Sequence, residues 1–185
     1  MELVVALRTV GKRSDVKKIR REGNIPAVLY SKGGQGKAII VDGIAFQKIL
    51  NSIPKGTLCS KVITLQLDGS PIKAIVKDIQ YIITSYQVAH LDFEILDDAL
   101  PVTLNIPLVC INTALCAGIK LGGFLRQVIH KVKVTCLPAA IPDQFNLDVR
   151  DLNLGETRKL EALTIPAGVR LHVNPKEVAV VIARK

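Results

Sequence analysis

The chain has 185 residues and contains no tryptophan, four phenylalanines and three tyrosines. So few rings exclude a single-strand nucleic-acid binder built on stacked bases, which uses aromatic side chains as its platform. Long apolar runs are also missing. The longest, Val178 to Ala183 and Ala38 to Val41, fall far short of the ~20 residues that span a bilayer. The start reaches Arg8 after a few apolar residues, without the apolar core of a signal peptide, so no membrane partner is expected. The four cysteines (Cys59, Cys110, Cys116, Cys136) form no CxxC pair and read as small apolar side chains in a reducing compartment. The three histidines (His90, His130, His172) do not supply ligand pairs at short spacing, so no metal and no other cofactor is expected. No GxSxG, HExxH, Walker or Rossmann pattern occurs, and no catalytic residue is assigned. The chain does not read as an enzyme.

What is present is apolar content and positive charge. Hydrophobic residues make up 49% of the chain, which excludes a disordered basic tail. The length suits one domain or two small ones, each able to bury a core. The net charge is +9, and it is concentrated. Nine basic residues (Arg8, Lys12, Arg13, Lys17, Lys18, Arg20, Arg21, Lys32, Lys37) face only Asp15 and Glu22 between Arg8 and Lys37, a local +7. Such a segment fits a polyanion footprint. A solvated helix face and a membrane surface remain open on charge alone.

The pattern predicts a strand from Glu2 to Arg8. A helix then starts at Ser14 as N-cap, with Asp15 in its first turn, and stops at Gly23. Val16 and Ile19 form its apolar stripe; Lys17, Lys18 and Arg21 project away from it. Arg20 falls beside the stripe, where packing fixes its direction and reduces the entropy lost on binding. Pro26 to Tyr30 and Lys37 to Val41 read as strands. The loop between them carries Gly33, Gly34 and Gly36 but lacks phosphate-loop spacing and is not assigned as one. Asp42 caps a helix whose core positions are Phe46, Ile49, Leu50 and Ile53. Lys61 to Leu67 and Ile72 to Tyr81 form a hairpin across Asp68-Gly69-Ser70-Pro71, and Gln87 to Leu96 adds a strand. Short strands with two helices predict a β-rich barrel or half-barrel.

A boundary is expected between Leu96 and Pro101. Beyond it, strands are expected at Val102 to Cys110, Leu125 to Leu137, Phe145 to Val149 and Glu177 to Ala183. The long second strand places Val128, His130, Val132, Val134 and Cys136 on one face, so His130 reads as a core or rim histidine. A short helix is expected from Thr157 to Leu163. One polar pair has clear geometry. On a strand, His90 and Asp92 share a face opposite Leu91 and Phe93. An acid/base pair, two hydrogen-bonding groups on a stiff sheet, and two solvated residues are all open from this motif.

Several segments together resemble one family. They are Arg8-Thr9-Val10-Gly11-Lys12, the run Ile19-Arg20-Arg21-Glu22-Gly23-Asn24-Ile25-Pro26-Ala27-Val28-Leu29-Tyr30, and His90-Leu91-Asp92-Phe93. The family is bacterial large-subunit ribosomal protein twenty-five, a binder of 5S ribosomal RNA. The second half is similar to the extra domain of its long form, the general stress protein CTC. The residues there are Gly118 to Leu125, Cys136 to Pro142, and Leu152-Asn153-Leu154-Gly155. The resemblance implies a mainly β (α+β) fold. Residues 1–95 would form a six-stranded β-barrel with short helices, and residues 96–185 a β-rich C-terminal domain. It implies docking on the loop E region of 5S RNA, with Arg8, Arg20, Tyr30, His90 and Asp92 at matching RNA-contact positions. Lys12, Lys17 and Arg21 add phosphate contacts by position and charge. It also implies a cytoplasmic, ribosome-bound protein whose C-terminal domain meets neighbouring ribosomal RNA or proteins. An alternative is a stress-linked RNA-binding protein acting off the ribosome. The sequence departs from the family where Ser31 replaces a frequent glycine. It also reads Gln80-Tyr81-Ile82-Ile83 in place of a polar stretch resembling Gln-Arg-His-Pro.

Overall fold

Alternation along the first strands decides which side of each faces the core. In β1 (Glu2–Leu7), Leu3 and Val5 are buried while Glu2, Val4 and Ala6 face out. In β4 (Val62–Leu67), Ile63, Leu65 and Leu67 point inward, against Val62, Thr64 and Gln66. Four more strands share this core: β2 (Asn24–Tyr30), β3 (Lys37–Asp42), β5 (Ser70–Tyr81) and β6 (Val88–Ile95). In a computed structural model that describes residues 1–9, 11–54, 56–67 and 69–184, these six close into a barrel in the order β1-β3-β2-β6-β5-β4. Two parallel pairings, β1 with β4 and β2 with β6, complete a ring that is otherwise antiparallel. Closure removes the open edges that a flat six-stranded sheet would expose. The expected turn between β4 and β5 includes Asp68, which lies outside the described residues.

Helix α1 (Arg13–Arg21) follows β1 and helix α2 (Gly43–Ser52) follows β3. Asp42 caps α2 by accepting a hydrogen bond from Ile44 N at 2.9 Å, and Phe46 enters the core completely. The start of α1 differs from the sequence expectation. Ser14 lies inside the helix, and Lys12 occupies the cap position. Asp15, three residues on, accepts from Lys12 N–H at 2.9 Å. A carboxylate reaching back thus takes the role expected of the Ser14 hydroxyl, whose Oγ meets Asp15 Oδ1 instead. The C-terminal stop falls at Gly23, with φ of +82°.

The chain divides into two compact units, Met1–Leu100 and Pro101–Lys185. The second holds a four-stranded sheet in the order β10-β7-β9-β12 and a three-stranded sheet in the order β11-β13-β8. Their strands are β7 (Val102–Ile111), β8 (Phe124–Gln127), β9 (Lys131–Cys136), β10 (Phe145–Asp148), β11 (Thr157–Lys159), β12 (Arg170–Leu171) and β13 (Val178–Ala183), with a short helix α3 at Ala117–Lys120. Two expectations are corrected here. Leu125 to Leu137 is not one strand, because β8 pairs with β13 and β9 with β7, in different sheets. The chain crosses between them at residues 128–130, and Gln127 Nε2 donates to Leu108 O and Ile129 O at the switch. His130 and Val128 are consequently exposed on the link and not on a core face. Residues 157–163 do not form one helix: the first three are a strand, and helical backbone is confined to one 3-10 turn, Leu160–Ala162. Thr157–Lys159 pairs with β13. Cys116 and Cys136 are buried, Cys59 and Cys110 half-buried, and none is in a disulfide. Burial pushes the Cys110 and Cys136 thiols up from their ordinary values.

Candidate nucleic-acid interface

Helix α1 touches the barrel lightly. None of its residues is fully buried, and Val16 and Ile19 alone are half-buried. That leaves Lys17 and Arg21, one helical turn apart, exposed on one side with no partner among the described residues. Lys18 reaches Glu22 at 4.0 Å, an exposed i,i+4 pair of small energetic weight. Lys12 is exposed at the head of the helix.

Arg20 is different. Its Nε donates to the carbonyl of Ala89 at 3.0 Å, across 69 residues of sequence. The helix is thereby tied to β6, and one edge of the guanidinium is fixed while the rest of the side chain remains exposed. Arg20 is held as the sequence led one to expect, but by a hydrogen bond to the carbonyl preceding His90 and not by packing, since the residue is exposed.

The outward face of β6 carries His90 and Asp92, while Leu91 and Phe93 are fully buried inside. His90 Nδ1 lies 2.9 Å from Asp92 Oδ1, but off the hydrogen-bonding direction. Although buried, that nitrogen and Arg8 Nε have no hydrogen-bond partner among the described residues. Both are buried polar atoms left without a hydrogen bond, which is uncommon in a folded protein. Strand register relates these positions. Arg8 N donates to Ala38 O at 3.0 Å, Ala38 pairs with Val28, and Val28 pairs with Asp92. Arg8 and Asp92 therefore stand in one lateral row, separated by the small outward side chains of Ala38 and Val28.

Two family matches cover the two units. The Ribosomal L25p family matches residues 3–93, and the family described as Ribosomal protein TL5, C-terminal domain, matches residues 101–185. A protein of Chlamydia pneumoniae named large ribosomal subunit protein bL25 is 51% identical over 185 residues, covering all of both chains. The protein of that name from Chlamydia trachomatis serovar D is 52% identical over the same length. The chain belongs to the L25p family.

In this L25p chain the face around Asp92 is richer than the sequence disclosed. Asp78 on β5 pairs directly with Asp92, and Gln80 with His90. Two carboxylates opposite one another repel, so the position disfavours a bare sheet and favours one that meets hydrogen-bond donors. Alternation along β5 could not reveal this pairing, because the register shifts between Val76 and Asp78. Lys77, at that irregularity, instead meets the buried Glu94 at 2.6 Å. Tyr30 on β2 pairs with Glu94, two residues along β6 from Asp92. Burial raises the Tyr30 hydroxyl above its ordinary pKa, and the negative charges of Glu94, Asp92 and Asp78 raise it further. The phenol thus keeps its proton, and remains a donor, throughout the neutral range. The L25p unit brings Arg20, Tyr30, His90 and Asp92 onto neighbouring parts of one surface, with Arg8 in the same lateral row. Lys12, Lys17 and Arg21 form an exposed basic fringe on α1.

Proposed function

We propose that this chain binds 5S ribosomal RNA, at its loop E region, through the N-terminal unit. As a member of a ribosomal family it is a structural component of the large subunit and not an enzyme, with the cytoplasmic ribosome as its expected location. One observation carries the RNA reading. The anchored Arg20 joins a basic helix to the very strand that presents His90 and Asp92 outward.

The division of labour follows from chemistry. A-form RNA offers phosphates, 2′-hydroxyls and base edges in a shallow minor groove. Lys12, Lys17 and Arg21 supply attraction to phosphates without sequence information. Asp92 can accept from a base amine, while the Tyr30 hydroxyl, the His90 Nε2 side of the ring and the terminal nitrogens of Arg8 can donate. For the C-terminal unit the proposed partners are neighbouring ribosomal RNA or proteins. Support comes from Leu115, Leu121 and Phe124, apolar side chains exposed on or beside α3 and β8.

Asp92→Ala is expected to weaken binding of 5S RNA by about 1–3 kcal/mol, the loss of a charge-assisted contact. A gel-shift titration at wild-type affinity would remove Asp92 from the interface. Lys17→Ala is expected to behave otherwise. Its affinity loss should come with a salt dependence shallower by about one ion. An unchanged slope across several salt concentrations would show that Lys17 meets no phosphate.

A further inference from the structure

We propose that the tip of the β5–β6 hairpin forms a second RNA contact, in which the Tyr86 ring stacks on an unpaired nucleobase. The inference rests on the RNA-binding reading above and extends it to a segment where the family's polar stretch is lost.

Tyr86 is 82% exposed and Ile83 87% exposed at this tip. The loop is tightly closed: Ile82 N donates to Gln87 O, and Tyr86 N donates to Ile82 O, both at 2.8 Å. The last residue of such a turn takes the left-handed conformation, and Tyr86 has φ of +54°. Glycine or asparagine ordinarily fills that position, as Asn112 does with φ of +61°. A bulky tyrosine held there, with its ring in solvent, gains nothing for the fold from its side chain. A ring used for recognition accounts for both the strain and the exposure.

The surroundings favour RNA over protein as the occupant. Residues 79–89 contain no charged side chain, so no carboxylate at the tip repels phosphate. The base of the hairpin is tied through Ala89 O to Arg20 of the basic helix. Between the two lies a cavity of about 350 Å³ lined in part by Arg20, Asn24, Gln47, Ile82 and Gln87. Its amides and guanidinium suit the edge of a base beside the stacking ring. One ring is enough for one base, so the scarcity of aromatics in the chain is no obstacle.

The test uses the full chain and transcribed 5S RNA. Tyr86→Gly is expected to bind about tenfold more weakly, yet to melt no lower than wild type, because glycine accepts the left-handed backbone freely. Tyr86→Phe keeps the ring and should retain affinity, and the salt slope should be unchanged in both. Wild-type affinity in Tyr86→Gly, with Arg20→Ala weakened, would overturn the stacking role and leave the RNA-binding reading intact. Failure of the wild-type chain to bind 5S RNA would overturn both. A photoreactive benzoyl-phenylalanine at position 86 should crosslink to RNA in assembled subunits; crosslinking only to a protein would overturn the proposal.

Discussion

Phe93→Ala is expected to destabilise the N-terminal unit by about 4 kcal/mol. Phe93 is fully buried on β6, paired on one side with Leu29 and on the other with Val76. Both partners are themselves 1% or less exposed. A closed barrel relaxes poorly around a lost ring, because moving one strand breaks pairing on both of its sides. The substitution therefore falls well inside the ~3–5 kcal/mol range for phenylalanine truncation. Domains of this size have only ~5–15 kcal/mol in total. Urea unfolding measures the change, and composition makes the signal selective. The chain has no tryptophan, and its tyrosines, Tyr30, Tyr81 and Tyr86, all lie in Met1–Leu100. Tyrosine fluorescence therefore follows this unit alone, although a two-unit chain need not unfold in one step. A midpoint within experimental error of wild type would contradict the packing argument. The consequence reaches the RNA face, because burial of Phe93 and Leu91 is what turns His90 and Asp92 outward.

That coupling explains how much could be read in advance. Alternation along β6 and β4 is a period-two signal within one strand, so the core side and the outward His90–Asp92 pair were legible. The basic helix was legible too, since nine charges in thirty residues need no partner to be counted. What stayed hidden depends on pairing between distant segments. Leu125 to Leu137 alternates like one strand, yet its halves belong to different sheets, and nothing local marks residues 128–130 as the switch. The helix expected over 157–163 is cut short, because pairing of Thr157–Lys159 with Val178–Ala183 leaves only Leu160–Ala162 as a 3-10 turn. Asp78 was missed at the interface for a similar reason: only the shifted register across Lys77 sets it opposite Asp92. Arg20 falls between these cases. Its place beside the Val16–Ile19 stripe pointed to a constrained side chain, but the carbonyl that constrains it is 69 residues away.

The anchor at Arg20 leads to the largest effect expected on binding. Arg20→Ala should weaken 5S RNA binding by about 2–3 kcal/mol, some 30- to 150-fold. The reason is not charge alone. An exposed lysine such as Lys17 must order a flexible stem when it meets a phosphate, which offsets much of the gain. Arg20 has already spent its Nε on Ala89 O, so its two terminal nitrogens are held in a fixed plane before RNA arrives. A planar fork so positioned can donate in parallel to phosphate or base-edge acceptors. Arg20→Lys separates orientation from charge. Lysine keeps the positive charge but has no Nε donor to hold the Ala89 carbonyl, and its single ammonium cannot reproduce the fork. The lysine variant is therefore expected to keep the wild-type salt slope while losing most of the affinity lost by Arg20→Ala. Lys17→Ala should show the reverse, a shallower slope with a smaller loss. Titrations of 5S RNA against the three variants at several salt concentrations distinguish the two roles. If Arg20→Lys binds as wild type, the tie to Ala89 serves only to seat the helix, and Arg20 acts as one more surface charge.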